Sequence, residues 1–314
     1  APDWKTAASR VADEFAGRAW LSDLLPALAP SGHAEELLRA ASAPGGLVVT
    51  GGQQPGLFGG PLYVLHKALT LLEFADALSE TTGRAVAPIF WAATDDADFV
   101  EASHVSVVRQ GRLDRLAVGE DGVTGRAMSQ IRLGDVDEQL ARLEEASGSA
   151  SDARVLAAVR ASYREDATVG GAYVTLLRSL LEPLGIAVLD ASHGTVRAAG
   201  HATLVGALTK GDEIAGALKV RGKAIADAGY HAQVADVPNL SLVFETIDDG
   251  TRRRVPLRAA REIANGARAD RLGPNVLLRP IMERQILPTV TYVGGAGEVA
   301  YFAQVSAVAE AMGV

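Results

Sequence analysis

Apolar residues recur at helical spacing near the start of the chain. Trp4, Val11, Phe15, Trp20, Leu24 and Leu25 mark helices over residues 3–43, with a second short helix at Glu35 to Ala41. The period then changes. Leu47-Val48-Val49 is a short apolar run that stops at Thr50 and two glycines, which predicts a buried strand. Pro61 to Ser79 reads as a helix with Pro in its first turn. Val86 to Trp91 is a second buried strand. Val105 to Val108 and Leu113 to Val118, joined through Gln110-Gly111, predict a hairpin. Asp137 to Ala146 and Ser151 to Arg164 are amphipathic helices. Thr168 caps a helix over Gly171 to Leu184, which Gly185 ends, and Ile186 to Leu189 is a third buried strand. His193 to Ala228 is mostly helical. Tyr230 to Val234 and Leu240 to Glu245 read as strands, with a hairpin turn at Asp248-Asp249-Gly250. Leu287 to Val293 is the last strand, followed by GGAGE and a helix to the end.

Strands alternating with helices predict an α/β protein built on a doubly wound, Rossmann-like parallel sheet. Two strand–glycine turn–helix junctions bracket it, one at Thr50 and one at Gly294. Residues 1–118 read as N-terminal helices and the first half of the core. Residues 119–275 hold second-half elements with helical and β insertions, and 276–314 the last core strand and helix. Two halves with an insertion between them is the layout of class I nucleotidyl-transfer folds.

Composition narrows the function classes. The 314 residues suffice for one large or two modest domains. With 48% hydrophobic and 22% charged residues the chain is globular, not disordered. A net charge of −8 argues against nucleic acid as a partner. The absence of Cys removes disulfides, thiolate metal sites and a cysteine nucleophile. No apolar run approaches the roughly 18 residues of a membrane span, and no signal peptide is visible, so the expected location is the cytoplasm.

The first junction, VVTGGQQPGLFGGPLYVLHK, is the candidate ligand turn. Its glycines permit close backbone approach, and the following helix offers N–H groups to an anion. It is not a P-loop: Leu57 and Phe58 stand where Lys and Ser or Thr are needed. Gly295 to Ala300 matches G-x-G-x-x-A, but the chain stops before the acidic strand that a dinucleotide site requires, so no nicotinamide cofactor is expected. Asp95, Asp96, Asp98, Glu101 and His104 follow the second strand directly. Asp98 and His104 suit acid–base work if they converge; the competing reading makes the aspartates turn caps and His104 a hydrogen-bonded structural residue. His66, mid-helix, is either functional or core. Glu298 fits the dipole of the last helix as well as it fits a ribose hydroxyl. Arg252-Arg253-Arg254 reads as a solvated hairpin edge. His193, His201 and His231 share no metal-ligand spacing, and no metal site is expected.

Four segments together resemble one family: TGGQQPGLFGGPLYVLHK, FWAATDDADFVEASHV, AGYHAQV and PNVLLRPIMERQILPTVTYVGGAGEVAYFAQ. They are similar to the bacillithiol-biosynthesis cysteine-adding enzymes, in order from Leu47 to the end. The resemblance implies a Rossmann-like core with connecting-peptide insertions. It also implies a ligase that joins cysteine to the amine of glucosaminyl malate in the last step of bacillithiol synthesis. ATP, with Mg as its companion, would activate the cysteine carboxylate. The catalytic candidates it implies are His66, Lys67, Asp98 and His104. The nucleotide- and substrate-binding candidates are Thr50, Gly51, Gly52, Gln53, Gln54, Gly59, Tyr63, Asp96, Arg279, Gly294, Gly295 and Glu298. Typical members carry a His where this chain has Ala97, and continue into a C-terminal coiled coil where this chain ends at Val314. That coiled coil is either absent or cut off, which weakens homodimerisation through it, and the final helix is expected to expose an apolar stripe of Val299, Phe302, Ala303, Val305 and Val308, so that either self-association or a longer native protein is expected. The alternatives are a non-catalytic nucleotide- or sugar-binding relative, or a nucleotidyltransferase acting on another small acid.

Overall fold

The computed structural model describes residues 3–119, 125–148, 152–266 and 268–314. In chain order the elements are α1 (Trp4–Glu14), α2 (Trp20–Leu28), α3 (Gly32–Ala41), β1 (Leu47–Gln53), α4 (Tyr63–Thr82), β2 (Val86–Ala92), α5 (Phe99–Ala102), β3 (His104–Arg109), β4 (Arg112–Ala117), α6 (Asp137–Ser147), α7 (Ala153–Ser162), α8 (Val169–Leu181) and β5 (Ala187–Asp190). There follow α9 (Gly194–Thr209), α10 (Gly211–Asp227), β6 (Leu240–Thr246), β7 (Arg252–Pro256), α11 (Leu257–Gly266), β8 (Leu272–Pro274), α12 (Arg279–Ile286), β9 (Thr289–Tyr292) and α13 (Ala296–Met312). The chain forms two compact units, residues 1–193 with 290–293, and residues 194–289 with 294–314.

The first unit is a Rossmann-like α/β fold around a four-stranded parallel sheet in the order β5-β2-β1-β9. β1 pairs with β2 in parallel from Leu47 opposite Val86 to Gln53 opposite Ala92. Both strands are buried almost throughout, which is why they read as unbroken apolar runs. From β1 the chain builds to one side through β2 to β5, and it returns to the other side at β9. Strand order therefore reverses between β1 and β9, the topological switch point at which open α/β sheets bind ligands.

Between β2 and β5 lies an insertion with its own core. Phe99, Leu116, Met128, Leu140, Tyr163 and Leu176 pack together, and Leu57 from the turn after β1 joins them. The β3–β4 hairpin forms at the expected register, with His104 opposite Ala117 and Arg109 opposite Arg112. Gln110 (φ 51°) and Gly111 (φ 76°) supply the left-handed pair that a two-residue hairpin needs. The expected start of α7 at Ser151 lies outside the described residues; the helix runs from Ala153. Thr168 caps α8, its Oγ1 accepting the Gly171 amide at 3.0 Å.

The second unit holds a three-stranded antiparallel sheet, β7-β6-β8, with α9 to α13. Four expectations change here and at the junctions. Tyr230 to Val234 is not a strand: the Gln304 side chain takes both backbone groups of Val234, donating to its carbonyl at 2.8 Å and accepting its amide at 3.0 Å. The three arginines are a solvated edge only at Arg253, which is exposed. Arg254 is half-buried and donates to Ser241 O through Nε at 2.8 Å, and Arg252 lies 4.8 Å from the centre of the Phe244 ring. α13 packs on α10 and buries Val305 and Val308, so of the expected stripe only Val299 is fully exposed. Finally, α4 begins at Tyr63 because residues 57–59 first make a tight 3-10 turn. Among the described residues no helix is long and apolar enough to cross a membrane.

Candidate functional site

The carboxyl end of β1 carries the site, and glycine is required there by packing. A Cβ on Gly51 would meet the Val293 carbonyl oxygen at 2.7 Å, and one on Gly52 would meet the Trp91 carbonyl oxygen at 2.3 Å. These two glycines let β1 lie tight against both neighbours. Thr50 is fully buried between them, its carbonyl accepting the Val293 amide at 2.7 Å. Beyond Gln53 the chain turns through Phe58 (φ 53°), Gly59 (φ 93°) and Gly60 (φ 76°), three successive residues in the left-handed region.

Lys67 points back under this turn. Although charged, it is only 4% exposed, and its Nζ donates to Gly52 O at 2.8 Å and Gln53 Oε1 at 3.0 Å. The ammonium also lies 5.0 Å from the centre of the Tyr63 ring. So Lys67, Tyr63, Gly52 and Gln53 form one cluster, in which the lysine braces the strand end. His66, one residue earlier on α4, is exposed.

Gln54 reaches the second candidate segment. Its Nε2 donates to the Glu101 carboxylate, 47 residues away, and so ties the glycine turn to the acidic run after β2. In that run Asp96 Oδ1 accepts the Ala97 amide at 2.7 Å, and Asp98 caps α5 by accepting the Glu101 amide at 3.2 Å. His104 Nδ1 lies 2.7 Å from Val100 O. A carbonyl only accepts, so Nδ1 carries the hydrogen of this bond, which leaves Nε2 as the ring nitrogen that can exchange a proton. Burial, and then the charges of Asp98 and Asp96, push the Glu101 carboxyl above its ordinary range; His104 and Gln54 oppose the shift. The structure thus brings Gln54, Asp96, Asp98 and His104 around Glu101, a residue not among the expected catalytic ones.

Another polar knot joins the ends of β2 and β5. Asp190 Oδ1 accepts from the Thr94 hydroxyl, from Ser192 Oγ at 2.8 Å and from the Ser192 amide at 3.0 Å. Its only sequence signal was a polar residue following each apolar run.

The remaining candidates belong to the second unit. Arg279 Nη1 donates to Glu283 Oε2 at 2.8 Å, and Glu283 is only 2% exposed. Glu298 accepts the Gly295 amide at 2.7 Å, closing the first turn of α13. Tyr301 sits among these groups. Burial raises its phenol, Arg279 opposes the shift through charge and a hydrogen bond, and Glu298 and Glu283 add to it. Arg279 and Glu298 therefore meet at Tyr301, and Gly294 and Gly295 lead into the helix that carries it.

A Rossmann-like sheet with a braced glycine turn at its switch point defines the class: an open α/β domain of the doubly wound kind. Residues 18–314 match the N-terminal Rossmann-like domain of the bacillithiol-biosynthesis protein BshC, and the chain belongs to that family. Among similar proteins, one from Koribacter versatilis is 35% identical over 280 residues, covering 85% of this chain and 52% of that protein. One from Solibacter usitatus is 33% identical over 293 residues, covering 90% and 55%. One from Salinibacter ruber is 33% identical over 281 residues, covering 83% and 51%. Each bears the name "Putative cysteine ligase BshC". The chain spans about half the length of the curated relatives it matches.

Proposed function

We propose that this domain carries the substrate-binding core of a cysteine ligase, which joins the carboxylate of cysteine to the amine of glucosaminyl malate after ATP has activated the carboxylate. The observation that carries the reading is the Gln54–Glu101 bond at the switch-point edge in a chain of this family. It makes one unit of a glycine turn and an acidic, proton-accepting segment. Amide formation needs an amine stripped of its proton, and a carboxyl with a raised pKa close to a histidine whose Nδ1 is held by a backbone carbonyl suits that step. An acidic rim of Asp95, Asp96, Asp98 and Glu101 attracts an ammonium and repels naked phosphates. Among the described residues no group of three carboxylates or imidazoles is placed as a metal cage, so Mg2+ would arrive on the phosphates of ATP, with Asp96 or Glu101 as its protein donors.

A second reading, a binding relative that performs no chemistry, draws on Ala97, where the family pattern has an imidazole. One experiment separates them. The protein is incubated with ATP, cysteine and glucosaminyl malate, and the products are read by mass spectrometry. Bacillithiol together with ADP or AMP supports the ligase. Calorimetric binding of any of the three without product supports the binding relative. No binding and no product rejects both.

A further inference from the structure

We infer that Tyr163 is a positioning residue for the glycine turn, holding its backbone in the ligand-ready shape from inside the insertion. This rests on the reading of that turn as the site. Tyr163 ends α7, about a hundred residues after the turn, and is 2% exposed. Its hydroxyl donates to Gly56 O at 3.2 Å and accepts from the Gly59 amide at 3.1 Å. One phenol therefore staples both ends of the stretch from Gly56 to Gly59. Its ring meets Phe58 edge-on, with centroids 4.9 Å apart at 64°.

The staple answers a specific need. Phe58 is held at φ 53°, ψ 34°, a conformation that a bulky L-residue adopts only when its surroundings impose it. The Gly59 amide also reaches Gly56 O at 3.1 Å and the Gly60 amide reaches Leu57 O at 3.0 Å, so the turn has two internal bonds, both made within the strained stretch itself. Tyr163 adds a restraint from outside the turn, twice, through its hydroxyl on the backbone and its ring on Phe58. Burial raises the phenol's pKa, so it stays neutral and can donate and accept together across the working pH range. The glycine turn is thereby coupled to the packing of α7 and α8. Leu57 enters the same core, and a Cβ on Gly59 would meet Leu176 at 3.3 Å.

Tyr163→Phe keeps the ring and removes the staple. Hydrogen exchange at the Gly59 amide should accelerate about tenfold relative to the native chain, with protection of β1 and β2 unchanged. In the ligase assay the variant should raise KM about tenfold with kcat within twofold. Tyr173→Phe is the control: that hydroxyl is also buried but has no hydrogen-bond partner among the described residues, so its loss should leave both readouts unchanged. Unaltered Gly59 exchange in Tyr163→Phe overturns the proposal, whatever the ligase assay gives. If Tyr163→Phe does not fold, exchange in the native chain decides: a Gly59 amide exchanging as fast as an open loop overturns the staple, and one as slow as its strand neighbours supports it. A native chain inactive in the assay would count against the proposed function and leave the exchange test standing.

Discussion

The two glycine junctions look alike in sequence and are built differently. After β1, glycine is demanded by neighbouring backbone: Gly51 and Gly52 have no room for a side chain, and Gly59 and Gly60 adopt left-handed torsions. At the start of α13, Gly297 sits in regular helix, and a Cβ there would meet nothing nearer than Gln233 Nε2 at 4.0 Å. The glutamates differ too. Glu298 closes its own helix on the Gly295 amide, whereas Glu101 is tied across the sheet end to Gln54. A G-x-G-x-x-A string is thus compatible with an ordinary helix cap. A constrained turn instead shows itself by the side chains that brace it from elsewhere in the chain.

The sharpest way to break this comparison is one methyl group at each junction. Gly52→Ala drives a carbon into the Trp91 carbonyl near the carboxyl end of a buried parallel pair. We expect a loss of about 3 kcal/mol or more, or no folded protein. Gly297→Ala should instead raise stability by up to about 1 kcal/mol, because it replaces glycine in a helix with space around it. Urea unfolding of both variants is the measurement. Equal destabilisation would mean that the second junction is as constrained as the first.

Lys67 comes next in size. Its ammonium satisfies Gly52 O and Gln53 Oε1 in a place where water cannot replace it. Lys67→Met keeps the aliphatic stem and leaves both acceptors short of a donor, at a cost of about 2 kcal/mol. If Lys67 only braces the strand end, then ligand affinity measured on the folded fraction stays within a few-fold. A loss of binding much larger than the loss of stability would make it a ligand contact.

What the sequence made legible follows from how local each signal is. β1, β2, the Gln110-Gly111 hairpin and the Thr168 cap are each specified within a few residues, and the structure contains them. The staple by Tyr163 and the Asp190 knot join residues about a hundred positions apart, and neither has a spacing rule to announce it. β8 is only Leu-Gly-Pro, too short and too full of strand breakers to read as a strand. Tyr230 to Val234 has the alternation of a strand, but a side-chain amide from α13 claims its backbone. Lys67 was legible as a charge near the turn; its direction, inward to Gly52 O, depended on the burial of α4 against β1.

The smallest predicted effect concerns Glu101, the group that distinguishes the first junction's acid from the second's. Its folded pKa lies above the ordinary carboxyl value, chiefly through partial loss of solvent around the carboxyl and then through Asp98 and Asp96. The folded state therefore holds this proton more tightly than the unfolded chain does. That contribution to stability is complete below the unfolded pKa and is lost as pH rises through the folded one. Above that window the charged carboxylate is a mild burden, screened because the side chain is largely exposed. Glu101→Gln keeps an acceptor for Gln54 and removes the charge. Its melting temperature should exceed that of the native chain slightly at pH 7, and the difference should vanish as pH falls below about 4.5. A difference that persists at low pH would trace to packing rather than charge. A lower melting temperature at pH 7 would mean that the carboxylate is stabilised in place, by Gln54 and His104, more strongly than burial and its acidic neighbours oppose it.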